Sequence, residues 1–227
     1  MKQRLQQIQR RIRDAAESCG RNPDGVRLVA VSKTMPRESL VQAVEAGAEI
    51  LGENYVQEAR EKFNALYALP VSWHFIGHLQ SNKAKYVVKI FDLIHSVDSR
   101  KLARELNKQA RKIDKIQKVL VQVNISEESS KSGVLLEDTA QLVTEMSRLT
   151  HITVKGLMTM PPYFNAPEKV RPYFKKLRQV RDQLLTMNIP GVSMAELSMG
   201  MTGDFEVAIQ EGATLVRIGT AIFGERG

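Results

Sequence analysis

Eight short segments rich in valine, isoleucine and leucine recur between stretches of helical periodicity, and no other feature restricts the fold of this chain so severely. They lie at 28–33, 49–52, 73–76, 92–97, 118–124, 153–158, 194–197 and 214–218. Short apolar runs bounded by turn residues read as strands, whereas apolar residues three and four apart read as one face of a helix. Helices are expected between them, over about 36–47, 55–66, 81–90, 99–112, 135–149, 168–187 and 204–210. A further amphipathic helix over 2–18 precedes the first strand, with Leu5, Ile8, Ile12 and Ala15/Ala16 inward. Strand–helix alternation implies parallel pairing through right-handed crossovers. Eight such units predict an α/β chain forming one domain over 1–227, a (β/α)8 TIM barrel with an extra N-terminal helix. The rival is an open, doubly wound sheet. It would carry Gly-x-Gly-x-x-Gly after strand one, where Lys33-Thr34-Met35-Pro36 stands instead.

Two distant stretches echo each other. Ala43–Ile50 and Ala208–Leu215 both read as a helix end, a glycine cap (Gly47, Gly212) and the start of the next strand. No linker or low-complexity tract divides the chain. The net charge of +8 and a pI near 9.6 raise nucleic acid as a partner. The basic residues, however, are spread along predicted helices among acids, with no clustered arm and no RNA-binding aromatic motif, so no nucleic-acid partner is expected. The single cysteine, Cys19, cannot form an internal disulfide, which fits a reducing compartment. No signal-peptide core opens the chain and no apolar run approaches the roughly 18 residues of a membrane span, so a cytoplasmic protein without membrane contact is expected.

A barrel of this kind places its site at the carboxyl ends of the strands, with phosphate on the loops after strands seven and eight. Strand one runs Leu28-Val29-Ala30-Val31-Ser32 into Lys33, a cation that either snorkels to the surface or is held in a pocket. The two late loops read Ser198-Met199-Gly200-Met201-Thr202-Gly203-Asp204 and Gly219-Thr220-Ala221. They offer hydroxyls, glycines for close backbone approach, and a helix start capped by Thr202 or Asp204, features that suit a dianion. A lysine facing a phosphate cradle suggests a phosphorylated aldehyde cofactor, pyridoxal 5'-phosphate. Arg217, in an otherwise apolar strand, must either find an ion-pair partner or point into the barrel mouth. His74 and His78 straddle a strand end and share no helix face, so no metal site is expected. Ser32 has no histidine–acid relay. The methionines at 158, 160, 194, 199 and 201 are read as core and pocket lining.

Several motifs carry a resemblance over nearly the whole chain: Ala-Val-Ser-Lys-Thr (30–34), Gly-Glu-Asn-Tyr-Val-Gln-Glu (52–58), Trp-His-Phe-Ile-Gly-His-Leu-Gln-Ser-Asn-Lys (73–83), Lys-Ser-Gly (131–133), Gly-Leu-Met (156–158), Leu-Ser-Met-Gly-Met (197–201) and Val-Arg-Ile-Gly-Thr-Ala-Ile-Phe-Gly (216–224). Together they resemble the pyridoxal phosphate homeostasis protein family, whose barrel is that of alanine racemase standing alone. His78 is a minor departure within its motif. The resemblance implies that Lys33 forms the Schiff base (imine) with the cofactor and that Arg217 faces the pyridine nitrogen. It places Ser198, Gly200, Gly219 and Thr220 around the phosphate, Met199 beside them, and Asn54 and His74 at the mouth. It implies vitamin B6 homeostasis, and an arginine near the pyridine nitrogen, which disfavours its protonation, favours a carrier without substantial catalysis. A monomer making transient contact with cofactor-accepting enzymes is expected. The alternative is a pyridoxal-phosphate-dependent enzyme such as an amino-acid racemase. The chain stops at Gly227, so no second domain is expected to supply the opposite-face proton donor that racemases of this fold use.

Overall fold

The computed structural model describes residues 1–128 and 131–224. Its strands are β1 (Arg27–Val31), β2 (Ile50–Glu53), β3 (Ser72–Phe75), β4 (Leu93–Val97), β5 (Gln117–Gln122), β6 (Ile152–Met158), β7 (Glu196–Ser198) and β8 (Leu215–Ile218). They pair in chain order into a closed barrel, every pair parallel, with β8 returning to β1 through Val29 opposite Arg217. Around them run α1 (Lys2–Ser18), α2 (Arg37–Glu45), α3 (Val56–Leu66), α4 (Ala84–Ile90), α5 (Arg100–Arg111), α6 (Leu136–Met146), α7 (Arg171–Thr186), α8 (Phe205–Gln210) and α9 (Thr220–Phe223). The eightfold alternation expected from the sequence is therefore the fold. Among the described residues no helix is long and apolar enough to cross a membrane.

Local sequence explains most boundaries. The echo between 43–50 and 208–215 is a pair of matching helix stops. Gly47 and Gly212 take φ of +103° and +101°, the left-handed region that glycine enters at no steric cost. In each, the glycine amide reaches back three residues (Gly47 to Val44, Gly212 to Ile209). The next amide reaches back five (Ala48 to Ala43, Ala213 to Ala208), completing the two bonds of a Schellman motif. Other boundaries differ from the periodicity. β1 ends at Val31 rather than Lys33, because Ser32 to Met35 close a turn. β5 stops at Gln122 because Val123 leaves to bridge Val134. β7 covers only Glu196–Ser198, the stretch that meets Gly156–Met158 of β6. The helices expected at 81 and 168 begin instead with single 3-10 turns, Ser81–Lys83 and Pro167–Val170.

Two separate cores hold the barrel. Inside it, Val29, Ile50, Leu93, Leu120, Met158 and Leu215 form a small cluster that touches Ile76. Outside, a much larger shell joins the outward faces of the strands to the helices, with Phe75, Phe91, Phe174 and Phe205 fully buried. The N-terminal helix α1 belongs to this shell. It buries the predicted Leu5, Ile8, Ile12, Ala15 and Ala16 and packs against α8 and α9. Arg21 secures it by donating to the carbonyls of Ile209 and Ala213.

Candidate functional site

Parallel strands leave their carboxyl ends at one rim, and there a cavity of about 500 Å³ opens. Val31 and the half-buried Lys33 approach it from the end of β1, and Asn54 follows β2. Ile76, Gly77 and His78 follow β3, and Gln122 ends β5. Met160 and Pro161 follow β6, Met201 and Thr202 follow β7, and Arg217, Gly219 and Thr220 close the ring at β8. Lys131 and Ser132 lean in from the loop after β5. Gly77 has to be glycine here, since a Cβ on it would lie 2.2 Å from the Asn54 carbonyl oxygen.

Of the residues expected at the site, Lys33, Asn54, Arg217, Gly219 and Thr220 line this cavity. His74, Ser198, Met199 and Gly200 lie behind its wall. Met199 is fully buried and belongs to the outer shell. Gly200 is buried against α8, where a Cβ would come within 2.6 Å of the Ala208 methyl. Its carbonyl accepts from the Arg217 amide. The cap expected for α8 is also absent. Neither Thr202 nor Asp204 caps the helix, and the Asp204 carboxylate instead turns back to accept from the Met201 amide at 2.6 Å.

His74 and Ser198 sit under the cavity in a chain that crosses the barrel interior. Arg217 Nη1 donates to Ser198 Oγ at 2.6 Å and Nη2 donates to the Thr159 carbonyl at 2.9 Å. Ser198 Oγ lies 2.8 Å from His95 Nδ1, and His95 Nε2 lies 3.0 Å from His74 Nδ1. β4 and β7 are not neighbours in the sheet, so the Ser198–His95 bond spans the barrel. Burial pushes the His74 pKa down to about 3 and that of His95 well below its usual value, so both rings are neutral. The assignment that uses every proton then runs one way, Arg217 to Ser198 to His95 to His74. Arg217 itself is drawn down to about 10 by burial, partly offset by Asp204. Nothing in the local sequence singles out His95, beyond its being a lone polar ring in the apolar run of β4. Among the described residues no cluster of metal-ligating side chains occurs, and Cys19 is exposed and unpaired.

A second polar cluster lies on the other side of the barrel wall, behind Lys33. Glu53 is fully buried, and its Oε1 accepts from Ser32 Oγ at 2.6 Å and Lys62 Nζ at 2.8 Å. Lys62, only 5% exposed on α3, also donates to the Ser32 carbonyl and to Glu58 Oε1, both at 2.6 Å. Glu58 in turn accepts from the Thr34 amide at 2.5 Å. Burial raises the Glu53 carboxyl above its usual range, against the pull of Lys62 and Ser32. The periodicity of 55–66 places Val56, Ala59, Phe63 and Leu66 on one face, and of these Ala59 is fully buried. The other three are only partly buried, while the charged Lys62 lies beneath the helix because two carboxylates receive it.

The sequence profile of the alanine racemase N-terminal domain family matches residues 3–227. The pyridoxal phosphate homeostasis protein of Aquifex aeolicus is 47% identical over 224 residues, covering 99% of this chain and 97% of the relative. That of Escherichia coli strain K12 is 41% identical, covering 98% and 95%. The structure of PipY from Synechococcus elongatus PCC7942 with PLP bound superposes with a TM-score of 0.82 at 36% identity, over 94% of this chain and all of that one. An alanine racemase of Clostridium difficile 630 shares the fold (TM-score 0.73, 15% identity), covering 96% of this chain but 56% of its own. By its sequence over almost its full length, and by its barrel, the chain belongs to the pyridoxal phosphate homeostasis protein family.

Proposed function

We propose that this chain binds pyridoxal 5'-phosphate at the rim cavity, attaches it through Lys33, and serves its intracellular homeostasis as a carrier without substantial catalysis. The observation that carries the reading is that Lys33, Arg217 and the Gly219–Thr220 turn face one cavity. The residues suit the group. Helix α9 opens at Gly219 with no side-chain cap, leaving its first amides to another acceptor such as a phosphate oxygen. The Asn54 side-chain oxygen is buried in the cavity wall with no protein donor, and a ligand hydroxyl would satisfy it. The bound cofactor supplies an aldehyde, with which a neutral lysine amine condenses and releases water. Arg217, fixed by Ser198 and Thr159, sets a cation in the wall. A second positive charge beside it is disfavoured, which keeps a neighbouring ring nitrogen unprotonated and weakens its electron-withdrawing power. PipY, 36% identical, holds PLP, and relatives at 41–47% identity are named as homeostasis proteins. The reading extends to one domain over 1–227, monomeric and cytoplasmic, handing cofactor to accepting enzymes by transient contact. Thr202 and Met201 join Gly219 and Thr220 at the phosphate end, with Ser198, Met199 and Gly200 supporting that loop from behind and His74 supporting Arg217 through His95 and Ser198.

The deciding experiment is borohydride reduction of the cofactor-loaded protein followed by peptide mass mapping. The expected outcome is one modified residue, Lys33, and loss of the visible absorbance band in a folded Lys33→Ala protein. Modification of another lysine overturns the assignment. Exchange of amino-acid α-protons faster than about 1 per second, lost in Lys33→Ala, would replace the carrier by an enzyme.

A further inference from the structure

We propose that Glu58 and Lys62, on helix α3 outside the barrel, are positioning residues for Lys33: they clamp the peptide units on either side of it and hold Thr34 in a left-handed turn. This rests on Lys33 being the attachment point.

Lys33 sits in a turn in which the Ser32 carbonyl accepts from the Met35 amide at 3.1 Å. The third residue of the turn, Thr34, has φ of +65°. That region is costly for a β-branched residue and suits glycine. Something outside the turn must therefore keep it. Before Lys33, the Ser32 carbonyl is held by Lys62 Nζ at 2.6 Å and the Ser32 hydroxyl by Glu53. After Lys33, the Thr34 amide is held by Glu58 Oε1 at 2.5 Å. Lys62 joins the two anchors, since the same ammonium also binds Glu58 and Glu53. All three of its protons are used, and it is almost wholly buried. The Lys33 side chain lines the cavity on the inner side of the wall, so the charged cluster and the amine lie on opposite faces of one short backbone segment. Charge-assisted bonds to backbone groups are the stronger kind, which suits a clamp working against turn strain.

Glu58 is the residue to test, because its side chain is 26% exposed and Glu53 still balances Lys62 when it is gone. The first measurement needs no cofactor: the rate at which acetic anhydride acylates Lys33 in the apo-protein, against exposed lysines as internal standards. The second is the dissociation constant for covalent attachment of pyridoxal phosphate. Glu58→Ala is expected to change the relative acylation rate at least about threefold and to weaken attachment about tenfold, the scale of one charged hydrogen bond, while the protein stays folded by circular dichroism. Adding Thr34→Gly, which accepts the positive φ without strain, is expected to restore both to within about 1.5-fold of wild type. A merely structural Glu58 would not be rescued by glycine at a different position. Wild-type behaviour of Glu58→Ala, or a loss that Thr34→Gly leaves untouched, overturns the proposal. If wild-type protein takes up no cofactor at Lys33, the carrier reading fails, whereas the acylation rates still decide the clamp.

Discussion

The two buried polar clusters of this barrel solve the same problem in opposite ways. Inside the barrel, Arg217, Ser198, His95 and His74 carry one formal charge, and burial keeps both rings neutral. Behind the wall, Lys62 is set between the carboxyl groups of Glu53 and Glu58 at 2.6–2.8 Å, groups of opposite sign rather than neutral ones. The first arrangement avoids the cost of burying ions and depends on every link finding its donor or acceptor. The second depends on balance, because an ion pair that loses one member leaves an uncompensated buried charge. They should therefore fail differently, the outer cluster by a large step and the inner one by smaller steps and by acid.

The largest expected effect is at Lys62. Lys62→Met strips Glu53 of its cation and the Ser32 carbonyl of a donor, and should destabilise the fold by about 3–5 kcal/mol in urea unfolding. Glu53 would respond by taking up a proton at a higher pH than before. Adding Glu53→Leu removes the orphan charge and should recover most of the loss. If the single variant costs under about 1 kcal/mol, the outer cluster is no stronger than a surface pair and the contrast collapses.

A smaller step is expected inside the barrel. Ser198→Ala leaves one Arg217 donor and His95 Nδ1 without their shared partner, at a cost of about 1–3 kcal/mol. Pyridoxal phosphate affinity should weaken with it, since among the described residues Arg217 then keeps one hydrogen-bond anchor, the Thr159 carbonyl. Fluorescence titration beside urea unfolding would separate the two effects. Loss of stability with unchanged affinity would make the chain a scaffold rather than a support for the cavity.

The smallest effect per step, and the clearest in sign, is with pH. His74 and His95 have folded pKa values below 6.5, so between about 3 and 6.5 the unfolded chain binds more protons than the folded one. Their contribution is full above pH 6.5 and is lost as pH falls, by up to about 1.4 kcal/mol per pH unit for each ring. Glu53 has the opposite sign. Its raised pKa makes the folded state the better proton binder above 4.5, so its contribution fades as pH rises through the raised value. Two histidines outweigh one carboxylate, and net loss of stability from pH 7 to 5 is expected. Replacing both histidines by Asn should flatten that slope, and an unchanged slope would place the acid sensitivity elsewhere.

The sequence by itself determined the barrel. Eight strands, parallel order and the buried face of α1 all follow from periodicity that short-range chemistry sets, and so do the paired helix stops at Gly47 and Gly212. Position at the carboxyl end of a strand also marked Lys33, Gly219 and Thr220 for one rim, whereas Asn54, and the mouth rather than an ion pair for Arg217, were expected only from the family resemblance. What only the tertiary structure decided is which neighbours each buried polar group meets. His95 reads locally as one residue of an apolar strand, and becomes a link between His74 and Ser198 only because a closed barrel brings β4 opposite β7. Ser198 reads as a loop hydroxyl, yet it lies below the cavity, where Arg217 and His95 reach it first. Lys62 reads as a solvated charge four residues after Glu58. It is buried because Glu53 and the Ser32 carbonyl, from two other strands' ends, complete its shell. Helix and strand preferences act over a few residues and survive in the sequence, whereas a buried hydrogen bond depends on partners 9 to 103 residues away, which only the closed fold brings within 3 Å.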